Sequence, residues 1–152
     1  KEKRFMDPMD PVKLRILTLK DLDAVADIDF SLLGKMRKEY WEIRLERAEI
    51  SGVPSLAAEV DGKVIGFILG QASGWEYGIP ESIGWIDTLG VAREWQRKGV
   101  SQLLFKEMAS MFKKVGVETI YVLVDWKKWD LLHFFAKMGF ERGDMINLEL
   151  RL

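Results

Sequence analysis

The sequence predicts an α/β fold in which a mixed sheet is covered by helices. Three stretches carry that expectation: a buried-looking strand at Gly84–Val91, a strongly amphipathic helix at Val100–Val115, and a nearly all-apolar strand at Thr119–Val124. A helix between two buried strands implies a right-handed crossover packed on a sheet face. With 152 residues, 48% apolar and 31% charged, the chain has the length and composition of one ordinary globular domain.

Lys1–Pro11 is charged and contains Asp-Pro twice, so residues 1–11 are expected to form a tail and residues 12–152 a single domain. Near-alternation of Val12, Leu14 and Ile16 predicts a strand over Val12–Leu17. Thr18 precedes Asp21 by three, close to a capping box, and Leu22, Val25, Ala26 and Ile28 follow at helical spacing. A second helix is expected over Lys35–Glu49. Leu56–Val60 and Val64–Leu69 flank Asp61-Gly62, whose tolerance of positive φ predicts a tight primed hairpin turn. Gly70–Ile83 reads as a loop or strand end, and Ala92–Lys98 as a polar connector. In the Val100 helix, Leu103, Leu104, Met108, Met111 and Phe112 form one apolar stripe. A short helix over Asp130–Met138, and one or two strands from Phe140 and Met145–Leu150, close the chain. The expected order is β-α-α-β-β-β-α-β-α-β(β).

Composition excludes several chemistries. The sequence has no cysteine, which removes disulfides, thiol nucleophiles and thiolate metal sites, and one histidine makes a histidine-rich metal site implausible; no metal is expected. A formal charge of -1 supplies no global field for nucleic acid. No apolar run is long enough to span a bilayer and no signal-peptide pattern is present, so no membrane partner and a cytoplasmic location are expected.

The informative segment runs Ile86-Asp87-Thr88-Leu89-Gly90-Val91-Ala92-Arg93-Glu94-Trp95-Gln96-Arg97-Lys98-Gly99-Val100-Ser101. It is a strand, a short loop and a helix start. The first amides of a helix lack partners and carry partial positive charge, so they suit a phosphate. Gly99 lets the backbone approach an anion closely, Arg97 and Lys98 add local charge, and Ser101 offers a hydroxyl. On composition alone an ordinary strand-to-helix loop explains the segment as well.

The segment resembles motif A of the GCN5-related N-acetyltransferase (GNAT) superfamily, Gln/Arg-x-x-Gly-x-Gly/Ala, with Gln96, Gly99 and Ser101 on its three positions; Ser101 departs from the usual Gly or Ala. Leu89-Gly90-Val91 resembles the strand end that pairs with the pantetheine arm. Phe134-Phe135-Ala136-Lys137-Met138-Gly139-Phe140 resembles the second motif, commonly Leu-Tyr-x-Lys-x-Gly-Phe, and Asp61–Phe67 looks like the family's hairpin. The resemblance implies a splayed, mostly antiparallel mixed sheet of six to seven strands with about four helices. It implies acetyl-CoA as co-substrate, held between the Gly84–Val91 and Thr119–Val124 strands. Leu89, Gly90, Val91, Gln96, Arg97, Lys98, Gly99, Val100, Ser101 and Phe135 would contact it. The implied reaction is direct attack by an amine on the thioester, with the backbone N–H near Leu89 as oxyanion donor. The family's acid tyrosine falls on Phe135, which has no proton to donate, and its helix-start Asn falls on Lys128.

A protonated lysine, pKa about 10.4, costs about 4.6 kcal/mol to neutralise at pH 7, so a base is wanted. Asp87 is the leading candidate: it lies two residues before Leu89, which period-2 alternation places on the same face. Its competing reading is a hydrogen-bonded structural carboxylate. Glu76 and Glu81 are alternatives that read equally as solvated loop charge, and Asp125 reads as a cap. Glu76 and Glu81, with Tyr77, Trp85 and Trp126, are candidates to line the acceptor cleft; Trp75 shares that expectation. Lys35–Glu49 reads as a solvated helix face, although Glu39, Glu42 and Glu46 there would attract a cationic amine. His133 reads as a surface residue. The expected function is acetyl transfer to a primary amine, with a protein lysine or N-terminus preferred and a monomer or homodimer expected. A polyamine or antibiotic acceptor, or a non-catalytic acyl-CoA sensor favoured by Phe135, are the alternatives.

Overall fold

The computed structural model describes residues 11–74 and 82–152. The chain divides into two compact units, the first reaching Val122 and the second comprising Leu123–Leu152. In the first unit β1 (Lys13–Ile16) leads through a 3-10 turn into α1 (Leu22–Leu33) and α2 (Lys38–Glu49). Then come β2 (Leu56–Val60), β3 (Lys63–Gly74), β4 (Ser82–Val91), α3 (Val100–Lys114) and β5 (Thr119–Val122). The five strands form one sheet in chain order, antiparallel from β1 to β4 and parallel between β4 and β5. The crossover through α3 is thus present as the sequence predicts. α4 (Trp129–Lys137) lies in the second unit.

Local chemistry explains the element ends. Asp61 and Gly62 have φ of 50° and 76°, so the β2–β3 hairpin closes through the primed turn its Asp-Gly predicts. The N–H of Thr18 donates to Asp21 Oδ2 at 2.9 Å, giving the acidic half of the capping arrangement. Asp21 also accepts from both terminal nitrogens of Arg15 at 2.8 and 2.9 Å, and that guanidinium holds its carboxyl below the usual range. Asp29 of α1 accepts from Arg37 at 2.8 and 2.9 Å, tying the start of α2 to α1.

The sheet has a helix layer on each face. On one, Val25, Ile28, Trp41 and Leu45 of α1 and α2 pack with Ala57, Phe67 and Leu69. Trp41 is fully buried, its ring edge-on to Phe67 at 5.2 Å. On the other face α3 lies close, because a Cβ on Gly66 would meet Val100 and Leu104, and one on Gly70 or Gly84 would meet Phe112. Those glycines let the stripe Val100, Leu104, Met108 and Phe112, all buried, sit against the strands.

Two expectations change. Gly70–Ile83 is not a plain loop: pairing continues through Gly74↔Ser82, because ladder hydrogen bonds outweigh the weak strand propensity of Gly and Ser there. Among the described residues the sheet has five strands rather than six to seven. The strands expected from Phe140 and over Met145–Leu150 do not form, although Ile146, Leu148 and Leu150 alternate with polar residues. Ile146, Leu148 and Leu150 are all at least 80% exposed: alternation without a neighbouring strand to pair with does not make a ladder.

Packing predicts a cost at one glycine. A Cβ on Gly90 would lie 2.7 Å from the Phe67 ring, which is itself wedged against Trp41. Gly90→Ala is expected to destabilise the fold by about 1–3 kcal/mol in denaturant unfolding.

Candidate active site

The register of β3 and β4 contains one irregularity. Leu69 pairs with Thr88 and Gly70 with Ile86, so Asp87 is an extra residue, a β-bulge in β4. Its effect is visible in the glycines. Gly84 and Gly90 are six apart and would share a face in an unbroken strand. Instead a Cβ on Gly84 would meet Phe112 of α3, and one on Gly90 would meet Phe67 on the opposite face. The bulge also coincides with the end of the parallel pairing: β5 is hydrogen-bonded only as far as Val122 opposite Ile86. From Asp87 to Val91, β4 is paired to β3 alone among the described residues.

Beyond the bulge lies the glycine-bearing turn. The N–H of Ala92 donates to the Ile65 carbonyl at 2.8 Å, and the Arg93 Nε donates to the Ser31 carbonyl at the end of α1 at 2.8 Å. Gln96 uses its side chain structurally, Nε2 donating to the Val91 carbonyl at 3.0 Å, which closes the turn against the strand end. Arg97 (φ 59°) and Gly99 (φ 89°) are both left-handed. For Arg97 that costs about 1–3 kcal/mol, strain of the kind found at binding sites. α3 then starts at Val100 with no side-chain cap. Among the described residues the N–H groups of residues 97–102 have no acceptor; the first bond of the helix is Leu103 N–H to Gly99 O at 3.0 Å. Consecutive free amides with left-handed residues among them form a concave donor set, and the 15-residue helix adds positive potential. Arg97 and Lys98 are exposed, Lys98 over the Trp95 ring at 5.1 Å, and Ser101 is half-buried. The cradle expected at Gln96–Ser101 is therefore brought together, with Gln96 as its brace.

Asp87 opens into a partly enclosed cavity of about 170 Å³ beside α2, lined with Arg44, Arg47, Ser51, Gly70 and Gln71. Its side chain is 29% exposed, and Arg44 Nη2 stands 3.6 Å from Oδ2. Burial pushes the Asp87 carboxyl above the usual carboxylate value, and Arg44 opposes that shift. The argument that put Asp87 on the face of Leu89 fails, because the bulge breaks the alternation. Leu89 stands opposite Ile68, between Gly66 and Gly70 on the α3 face, whereas Asp87 faces the α2 cavity.

Trp85 stands opposite Gln71 and stacks on Tyr121 at 5.2 Å. Glu76, Tyr77 and Glu81, with Trp75, lie outside the described residues. In the second unit Trp126 is exposed, and Phe135 is 5% exposed with Phe134 and Phe140 edge-on at 5.2 and 5.1 Å. Sequence reasoning missed Arg44 and Arg47. Their spacing with Ser51 (i, i+3, i+7) was the available signal, since it marks one helix face. Glu39, Glu42 and Glu46 are absent from the cavity wall.

A model of the acetyltransferase (GNAT) family matches residues 22–140, across both units. The chain belongs to that family. No curated protein matches the sequence. Solved structures share the fold at low identity. A transcriptional regulator from Bacillus halodurans C-125 superposes with TM-score 0.79 at 15% identity, covering 93% of this chain and 99% of that one. A ribosomal-protein-alanine N-acetyltransferase from Brucella melitensis biovar Abortus 2308 gives 0.75 at 20%, covering 93% and 99%. The aminoglycoside N-acetyltransferase AAC(6')-Iy in complex with CoA gives 0.78 at 13%, covering 92% and 94%. No helix among the described residues of this GNAT domain is long and apolar enough to cross a membrane.

The electrostatics of the bulge are testable. A carboxyl-selective NMR titration is expected to place the Asp87 midpoint above the ordinary carboxylate value, and Arg44→Gln is expected to move it further up by removing the opposing charge.

Proposed function

We propose that the chain is an acetyl-CoA-dependent N-acetyltransferase that acts by direct attack of a primary amine on the thioester. The observation that carries the reading is the row of acceptor-free amides at residues 97–102 behind the left-handed Arg97 and Gly99. Six adjacent donors with no acceptor among the described residues suit a diphosphate, and the residues present fit the coenzyme's anionic end. Arg97 and Lys98 add charge there, Ser101 a hydroxyl, and the Leu89–Val91 edge, free of β5, suits the pantetheine arm. When bound, the coenzyme supplies an activated acyl group on a good leaving thiolate.

The chain's own groups then have defined work. Asp87 takes the proton of the acceptor amine; its raised pKa brings it closer to the amine it must deprotonate. The Leu89 N–H serves as donor to the developing oxyanion. The thiolate, with a pKa near about 8.5, leaves without a strong acid, so Phe135 at the family's tyrosine position is compatible with turnover. A catalytically silent acyl-CoA sensor would bind equally well; release of free thiol separates the two. That assay reads coenzyme alone, since the protein has no cysteine.

Gly99→Glu places a carboxylate in the donor row and a side chain at φ 89°. Calorimetry is expected to show acetyl-CoA binding abolished, with the circular dichroism spectrum retained; unchanged affinity would refute the cradle. Asp87→Asn is expected to lower kcat/KM by about 10²-fold at pH 7 and less at pH 9, where more of the amine is already neutral. An unaltered pH–rate profile would remove Asp87 as the base.

A further inference from the structure

The cavity beside Asp87 has an unexpected sign for an enzyme that takes amines. Among the described residues two guanidiniums, Arg44 and Arg47, face one carboxylate, Asp87, which leaves a net positive wall. Among the described residues Arg44 makes a single long ion pair, 3.6 Å to Asp87, although it is 28% exposed and has five donors to place. Arg47 has no ion pair among the described residues. The acidic residues of the same helix are elsewhere: Glu39, Glu42 and Glu46 are not on the cavity wall, and Glu49 accepts the N–H of Leu19 at 2.8 Å.

We propose that this cavity selects an acceptor that carries an anionic group, a carboxylate or a phosphate, close to its primary amine. The inference deepens the acetyltransferase reading and rests on it. Planar guanidiniums bind both oxyanions through paired N–H donors, and Ser51 and Gln71 add neutral hydrogen-bonding groups to the same wall. Two positive groups repel an acceptor with several ammoniums, while an acceptor that brings its own negative charge is drawn in. The volume, about 170 Å³, equals roughly six waters' share of liquid, taking about 30 Å³ each. It fits the head of a small amino acid or a phosphorylated amine, with the amine toward Asp87 and the anion toward Arg47. The transfer balances: the neutral amine nitrogen forms a C–N bond to the acyl carbon and the C–S bond breaks. The sulfur keeps the electron pair; Asp87 takes the ammonium proton first and releases it to solvent, and then takes the second proton from the acylated nitrogen.

The test measures thiol release from acetyl-CoA with matched acceptors: the standard amino acids against their amides, phosphoethanolamine against ethanolamine, and putrescine as a diamine. The same compounds are assayed for binding by thermal shift. The anionic member of a pair is expected to exceed its neutral partner by about 10- to 100-fold in kcat/KM, or to be the only one that binds. A response to amino acids alone names the carboxylate, and to phosphoethanolamine alone the phosphate. Arg47→Glu, on an exposed position, is expected to erase that discrimination through KM and leave acetyl-CoA affinity unchanged, and Arg47→Lys to restore part of it. Equal treatment of paired compounds, no response to any in either assay, preference for putrescine, or discrimination that survives Arg47→Glu overturns the proposal. Calorimetry with acetyl-CoA alone separates the levels: binding without anion discrimination sinks this inference only, whereas absent binding sinks the acetyltransferase reading beneath it.

Discussion

One extra residue in β4 organises the site. Inserting Asp87 into an otherwise regular antiparallel ladder rotates everything after it by one face, so β4 presents Gly84 to α3 before the bulge and Gly90 to Phe67 after it. The same residue is where pairing with β5 ceases. A parallel neighbour follows the strand only while both keep one twist, and a bulge increases the local twist. The irregularity therefore frees an edge, turns an acidic side chain out of the sheet, and aims the strand end at the α3 amides.

The helix layer beside that edge is set by packing rather than charge. Trp41 is the anchor of α2: it is buried against Phe67, whose ring in turn occupies the space a side chain on Gly90 would need. Arg44 follows Trp41 by three residues and Arg47 by six, so once the tryptophan is seated the guanidiniums have no freedom to choose another face. The glycine on the strand thus serves two ends. It admits the ring that fixes the arginines, and it keeps the free strand edge clear. Arg93, bonded to the Ser31 carbonyl, ties the turn before α3 to the end of α1, so both helix layers are referenced to one strand end.

Much of this was legible in the sequence where a local rule decides the conformation. Asp61-Gly62 specifies its turn, and of the stripe read along α3 Leu104, Met108 and Phe112 are buried, with Leu103 and Met111 half-buried beside them. The bulge was not legible. Nothing in Ile86-Asp87-Thr88 distinguishes an inserted residue from a regular one, because the insertion is a property of the pairing with Leu69 and Gly70 and only appears when both strands are aligned. The error over the shared face of Asp87 and Leu89 follows directly. Met145–Leu150 shows the converse failure: a good strand pattern, with Ile146, Leu148 and Leu150 alternating, that forms no strand. Arg44 and Arg47 were visible as charges, but with five charges from Glu42 to Glu49 alternating in neither sign nor face cleanly, the burial of Trp41 and Leu45 settles which side of the helix looks inward.

On the proposed reading, Arg44 has a consequence for proton transfer that its ion pair alone conceals. Burial raises the Asp87 carboxyl and Arg44 restrains the rise. The same positive charge acts on whatever amine enters the cavity, and there it disfavours the ammonium form. The two shifts move the donor and acceptor of the proton toward each other, from opposite ends of the scale. A glutamate in place of Arg44 would do the reverse on both counts, holding the amine protonated and pushing Asp87 up until it carried the proton itself. A positive wall around an amine site is then no contradiction, provided the acceptor brings an anion of its own to offset the repulsion on entry.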